Sequence, residues 1–364
     1  MDYDIKKDNR FYNVDLLKAL AIFFVIIYHG WLSKINFIEA PSFETYFNFF
    51  LMTILSTGVP LFFFCNGFLL FNRSFDFKKH IFKVIRLMII TTIWAFLTIG
   101  VMMFTDNVYF SPMEFFKAVL DLKQDMIGYL WFMGALVCVH IVFPVLKAAF
   151  DANKKSILYL AFISYLLPLG FMIIDRICSA IVKDSGGVYF KMFNPFNSLF
   201  AYSFTFFCLG GLCNFYQEKI EKFIEEKNIN AKLIASGLIF VSCVCLATYG
   251  VLKSYRIGSI WDMVFSSYDS IFTIVNVVAI YILSLNYKPE KNNFMVRTIY
   301  YVGKNTLGIY FIHEIFIHIF TKHLVVIPWC TNIIFNVFYA SAIIFASLFV
   351  TWIIKKIPLL KHIL

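Results

Sequence analysis

Charge is what this 364-residue chain has least of: 15% of its residues are Asp, Glu, Lys or Arg, against 60% hydrophobic and 20% aromatic. Soluble globular domains carry about 25% charged residues, so that class is excluded. Alternation is missing too. The apolar runs are long and unbroken, so the many Phe, Ile, Val and Tyr residues do not describe barrel strands. The eight cysteines (Cys65, Cys138, Cys178, Cys208, Cys213, Cys243, Cys245 and Cys330) contain no C-x-x-C pair, which removes a zinc or redox framework and leaves small buried apolar residues. No small-x-small cleavage site follows the first apolar run, so it is expected to remain as a helix. Neither a second domain nor an inverted repeat of the transporter kind stands out, and residues 1–364 read as one integral-membrane domain.

What is present is a series of runs near the roughly 20 residues that a helical membrane span needs. In lipid every backbone polar group must be satisfied within the segment, so such runs are helices. The fold class is therefore all-α, a polytopic membrane protein of about ten transmembrane helices enclosing a polar cavity. The spans fall near 14–33, 45–71, 80–104, 127–149, 156–174, 196–216, 232–252, 264–286, 299–321 and 333–354. The segment 175–195 reads as an ordered loop or a short re-entrant helix, and "QEKIEKFIEEKNINAK" (217–232) as an amphipathic connector. Placing both termini in the cytoplasm puts 23 of the 32 basic residues inside, as the positive-inside rule requires. The net charge of +10 is then spread over cytoplasmic loops facing anionic lipid, and nothing organises it into a nucleic-acid surface.

Against this apolar background a few ionisable residues demand a reason, since each costs roughly 2.5–3.5 kcal/mol in mid-membrane on insertion scales. The first span, "NVDLLKALAIFFVIIYHGW" (13–31), holds Asp15, Lys18 and His29. At about 100° per residue, Lys18 and His29 lie about 20° apart around the helix and Asp15 within about 40° of His29. The three share one stripe, along which Lys18 and His29 are ~16 Å apart. In the ninth span, "YYVGKNTLGIYFIHEIFIH" (300–318), His313 and Glu314 fall at the depth of His29; two imidazoles and a carboxylate at one depth suit proton transfer. A third group, "FNRSFDFKKHIFKVIRLM" (71–88), carries Arg73, Lys79, Lys83 and Arg86. The last three are spaced i, i+4, i+7 on one helix face; such a ridge serves equally as topological charge or as a phosphate site.

These segments resemble the acyltransferase 3 family of multi-spanning membrane acyltransferases. "VDLLKALAIFFVIIYH" resembles its first-span signature, with ten residues between Lys18 and His29. "GVPLFFFCNGFLLFNR" (58–73) resembles its second span, with Asn66 where Ser is usual. "KKHIFKVIRLM", "YLWFMGALVCVHIVFPVLK" (129–147) and "GKNTLGIYFIHEIF" (303–316) resemble three later motifs, in the family's order. Thr306 replaces another Ser, and Tyr129 stands where a His often precedes the Leu-Trp-Phe triplet, so no role of that His is carried over.

The resemblance implies an enzyme that takes an acyl group, usually acetyl, from cytoplasmic acetyl-CoA or another acyl-CoA and passes it to a hydroxyl of a carbohydrate or lipid-linked glycan. Under it Lys18, Arg73, Lys79, Lys83 and Arg86 hold the donor. His29 acts as general base or acyl relay, Glu314 or Asp15 orients it, and Trp131, Asn66, Tyr310 and His313 line the cavity. No metal is required. The implied partners are the glycan acceptor, membrane lipid and either a separate extracytoplasmic acyl carrier or a second copy in a homodimer. The implied location is a bacterial plasma membrane, in keeping with the Phe, Ile, Lys and Asn bias of an A+T-rich genome. A proton-coupled flippase for a lipid-linked glycan and a non-catalytic envelope scaffold are the rival readings.

Overall fold

A computed structural model describes residues 11–30, 36–120, 124–182, 201–285, 287, 293–324, 332–358 and 360–364. These residues form helices, with no strand among them. In chain order they are α1 (Tyr12–His29), α2 (Phe43–Leu55), α3 (Gly58–Phe71), α4 (Phe77–Asp106), α5 (Pro112–Leu120) and α6 (Trp131–Ala152). There follow α7 (Lys154–Val182), α8 (Tyr202–Glu226), α9 (Ala231–Ile257), α10 (Ile271–Leu285), α11 (Phe294–Leu324) and α12 (Ile333–Lys356). By length and composition six helical stretches among the described residues are apolar enough to cross a membrane: α1, α2 with α3, α4, the stretch Gly128–Ala152, α9 and α12. Of the predicted 175–195 segment, residues up to Val182 continue α7; the remainder, 183–195, lies outside the described residues.

Local chemistry sets the helix ends. Asp76 caps α4 by accepting from Lys79 N at 3.0 Å, and that backbone N–H, with the Lys79 ammonium, holds the Asp76 carboxyl below the usual carboxylate range. Helix α1 stops at His29, with Gly30 as its cap, four residues before the predicted end of the first span. The predicted second span is two helices. Pro60 has no N–H to continue the ladder across the junction, and Ser56 and Thr57 turn their hydroxyls onto Thr53 O (2.7 Å) and Ile54 O (2.6 Å), satisfying carbonyls at the break.

The outer surface is apolar. Along α4, Phe82, Ile85, Ile89, Leu97 and Phe104 are exposed, as are Phe338, Phe345, Phe349 and Trp352 on α12. Continuous apolar faces of this size require a non-aqueous neighbour, which for helices of this length is lipid. The cysteines divide between the two environments: Cys65, Cys208 and Cys243 are buried as expected, whereas Cys138 and Cys245 are exposed.

Inside, helix contact is close because glycine permits it. A Cβ on Gly67 would collide with Phe207 O, and one on Gly210 with Phe64 O, so α3 and α8 touch backbone to backbone. This is the small-residue packing that membrane helices use where apolar burial gives no driving force. Gly303 does the same between α11 and α1: its Cβ would lie 2.7 Å from Asp15 O and 2.8 Å from Asp15 Cα.

Contacts also fix helix direction. Residue 303 meets 15 and the ring of His313 meets that of His29, so α1 and α11 run the same way. Helix α3 runs against them, with Gly58 beside Val25 and Asn66 beside Lys18 in one cavity. Helix α12 does likewise, with Asn336 near Gly30 and Thr351 against Gly308.

Gly67→Leu or Gly210→Leu is expected to push α3 from α8 at a cost of about 1–3 kcal/mol or more. The check is a lower unfolding temperature and loss of the monodisperse species in detergent, with Gly134→Leu, whose Cβ meets nothing within 4 Å, as the silent control.

Candidate active site

Five helices surround a cavity of about 220 Å³ near the ends where α1 and α4 begin. Each contributes residues at helical spacing: Lys18 from α1, Phe62 and Asn66 from α3, Lys83 and Leu87 from α4, Phe132, Leu136 and His140 from α6, and Gly303, Lys304, Thr306, Leu307 and Tyr310 from α11. Three lysines line one small space, so its wall is basic; the Lys304 ammonium itself stands 5.7 Å over the Tyr300 ring. Lys83 also lies within electrostatic reach of Arg73 and Lys18. The small polar side chains bond back to their own helices, Asn66 Nδ2 to Phe62 O at 2.8 Å and Thr306 Oγ1 to Val302 O at 3.0 Å. His140 is buried, and its Nδ1 has no hydrogen-bond partner among the described residues. His80 stacks on it at 5.6 Å and donates its Nε2–H to His140 O at 2.8 Å.

Tyr310 closes the far end of this cavity. Its hydroxyl donates to Tyr129 O, and the Tyr129 hydroxyl donates to Phe311 O at 3.0 Å while standing 3.1 Å from Thr98 Oγ1. Tyr129 therefore serves as a fixed wall. Immediately behind lies His313, its ring centroid 5.5 Å from that of Tyr310 and 5.5 Å from that of Tyr129.

His313 is fully buried, at 0% exposure. Its Nδ1 lies 2.5 Å from Tyr310 O. A carbonyl only accepts, so Nδ1 carries the proton, and in the neutral ring Nε2 is left with a lone pair. That Nε2 has no hydrogen-bond partner among the described residues; neither does the buried Glu314 Oε2, 3.9 Å away. The His29 ring centroid is 5.8 Å from that of His313. One ligand atom from each of His29, His313 and Glu314 lies within 4.8 Å of the other two. No metal is called for by the sequence reading, yet these three side chains offer a nitrogen, nitrogen and oxygen donor set. Glu314, with 23% of its side chain exposed, gives the group an opening.

The structure thus assembles two groups from the sequence-predicted residues. Lys18, Lys83, Asn66 and Tyr310 share the cationic cavity; His29, His313 and Glu314 meet beyond it. Other residues sit elsewhere. Asp15 is buried at the α1–α11 crossing, ~21 Å of helix rise from His29. Lys79 pairs with Asp76 at 3.4 Å, and Arg86 donates to His362 O (3.4 Å) and Leu364 O (3.2 Å), so the expected ridge divides at its capping turn and Lys83 alone of the three lines the cavity. Arg73 is exposed. Trp131 does not line this cavity, which its neighbour Phe132 enters; it lies 6.1 Å from Tyr268 in an aromatic cluster.

Two further lining residues have bland explanations in the sequence. Lys304 reads as topological charge, although Lys304, Leu307 and Tyr310 follow i, i+3, i+6 toward His313. His140 reads as part of an apolar span, although Phe132, Leu136 and His140 stand at i, i+4, i+8.

A family model described as an acyltransferase domain, of the acyltransferase 3 type, matches residues 11–356. No curated protein and no solved structure matches the chain.

The bond from His313 to Tyr310 O has a direct spectroscopic consequence. In ¹⁵N spectra of histidine-labelled protein the neutral His313 ring is expected to carry its proton on Nδ1. An Nε2–H ring would remove the free lone pair from the cluster.

Proposed function

The chain belongs to the acyltransferase 3 family, and from that premise we propose that it moves an acyl group, most simply acetyl, from cytoplasmic acyl-CoA to a hydroxyl of a carbohydrate or lipid-linked glycan. One observation carries this reading: a cavity lined by Lys18, Lys83 and Lys304 stands a single aromatic residue, Tyr310, away from the convergence of His29, His313 and Glu314. The lysines suit the phosphates of the donor, while the imidazoles and carboxylate suit removal of a hydroxyl proton.

In the proposed reaction the thioester arm extends from the cationic cavity past Tyr310. His313 Nε2 or His29 accepts the acceptor's hydroxyl proton as oxygen attacks the thioester carbonyl. The tetrahedral intermediate collapses, the carbon–sulfur bond breaks, and the imidazolium returns the proton to the departing thiolate. Glu314, 3.9 Å from His313 Nε2, balances the transient imidazolium. Asp15 supports α1 against Gly303 at a distance from the reacting groups.

The same reading takes the chain as one domain making ten passages through a bacterial plasma membrane, with both ends in the cytoplasm. Opposed directions of α1 and α3, and of α11 and α12, support alternating passages. Acyl donor and glycan then approach from opposite faces, the first along the lysines and the second at His29. A separate extracytoplasmic acyl carrier or a second copy of the chain fits as the partner.

His313→Ala and His29→Ala are each expected to lower acyl transfer from acetyl-CoA to surface glycan by about 10²–10⁴-fold, the usual worth of a general base, while the protein remains folded. Undiminished transfer in both would rule out the imidazoles. For the donor site, Lys83→Ala should raise KM for acetyl-CoA roughly tenfold or more, the loss of one charge-assisted hydrogen bond, with little change in kcat; an unaltered KM would return Lys83 to topology.

A further inference from the structure

We propose that His29, His313 and Glu314 form a binding site for one divalent transition-metal ion, Zn²⁺ being the species that fits, and that the bound ion blocks acyl transfer. The second half rests on the function proposed above; the first rests on geometry alone.

His313 Nε2 and Glu314 Oε2 are both buried acceptors, 3.9 Å apart, and neither has a hydrogen-bond donor among the described residues. Buried acceptors left in this state are costly, and two facing each other call for a shared donor or a cation. His29 completes the set, with all three ligand atoms inside 4.8 Å of one another. Two imidazoles and a carboxylate select Zn²⁺ or a neighbouring transition metal over Mg²⁺ or Ca²⁺, which prefer all-oxygen shells. His313 already has the support that metal-ligating histidines show: its Nδ1–H is held by Tyr310 O at 2.5 Å, aiming Nε2 at the group.

The spacing decides what kind of site this is. Zinc bonds of about 2.0–2.2 Å in tetrahedral geometry place ligand atoms roughly 3.3–3.6 Å apart. A set that spreads to 4.8 Å must close by about 1 Å on binding. His29, the last residue of α1, and Glu314, partly open to the surface, are the two able to move. A site that must close binds more weakly than a preformed one, so the ion is an exchangeable inhibitor rather than a resident. Three protein ligands leave the fourth position for water. Once Nε2 of His313 is bound to the ion, its lone pair no longer accepts the acceptor's proton.

Untagged full-length protein, stripped with chelator and held in lipid nanodiscs, would be titrated calorimetrically with ZnCl₂. We expect one ion per chain, with affinity at least tenfold lower in His313→Ala, His29→Ala and the near-isosteric Glu314→Gln. His318→Ala should bind as the native chain does, because His318 is engaged with Asp106 at 2.9 Å outside the group. No saturable binding, or equal binding by all variants, overturns the site. Zinc should also inhibit acetyl transfer over the concentrations at which it binds. Zinc bound at the group with transfer unchanged, or transfer lost on chelation, overturns the block. Failure of the proposed activity itself would show as no transfer without zinc, leaving the binding titration to decide the site.

Discussion

The backbone contact between α1 and α11 is what the site depends on. Gly303 lets Asp15 approach until no Cβ fits between them, and the two helices leave that contact in the same direction. Fourteen residues lead from Asp15 to His29 and ten from Gly303 to His313, rises of ~21 and ~15 Å. The difference is close to one helical turn, and the ring centroids finish 5.8 Å apart. A bulkier residue at 303 would separate the helices where they meet and displace both imidazoles at once. This close approach lets a membrane bundle bring together polar groups that neither helix could shelter alone.

The same bundle keeps two unlike polar sites apart. Lys18 and Lys83 stand within the first two turns of α1 and α4, and Lys304 about three turns into α11, at positions from which long side chains can reach toward a polar boundary. The histidines and Glu314 gather a few turns on. Between them stand Tyr310 and Tyr129, tied to each other and to Phe311 O, with Phe62 and Phe132 packed against Tyr310. This partition is aromatic and hydrogen-bonded rather than charged. It suits a substrate arm better than a relay of ions, which favours group transfer over the proton-coupled flippase.

Much of this was legible in the sequence, and its failures have physical causes. Helical class, the stripe in α1 and the shared depth of His29 and His313 follow from period and rise alone. The break between α2 and α3 was written in Pro60 but masked by uninterrupted hydropathy. The basic ridge is shorter than its helical spacing implies, because spacing predicts a common face but not local partners: Asp76 holds Lys79 at the cap, and the carbonyls of residues 362 and 364 take Arg86. Trp131 and Phe132 could not be separated, since both belong to one apolar run and a helix turns adjacent residues about 100° apart. Lys304 and His140 were lost among residues with a bland explanation, topological charge for one and burial in an apolar span for the other.

His29 and His313 are chemically alike but mechanically different. His313 sits within a long helix, fully buried, its ring held by the carbonyl three residues back. His29 is the last residue of its helix, followed by the Gly30 cap. One imidazole therefore has a fixed lone pair, and the other can adjust to what enters. For acyl transfer this division is useful, because the base must be aimed while the group beside it yields to acceptors of varied shape. It also gives a metal ion one rigid ligand and two that must move, which is why the donor set is sound in chemistry yet too wide for permanent occupancy. The spacing of up to 4.8 Å that the proposed reaction uses for a hydroxyl is the same spacing that would weaken the proposed site for zinc.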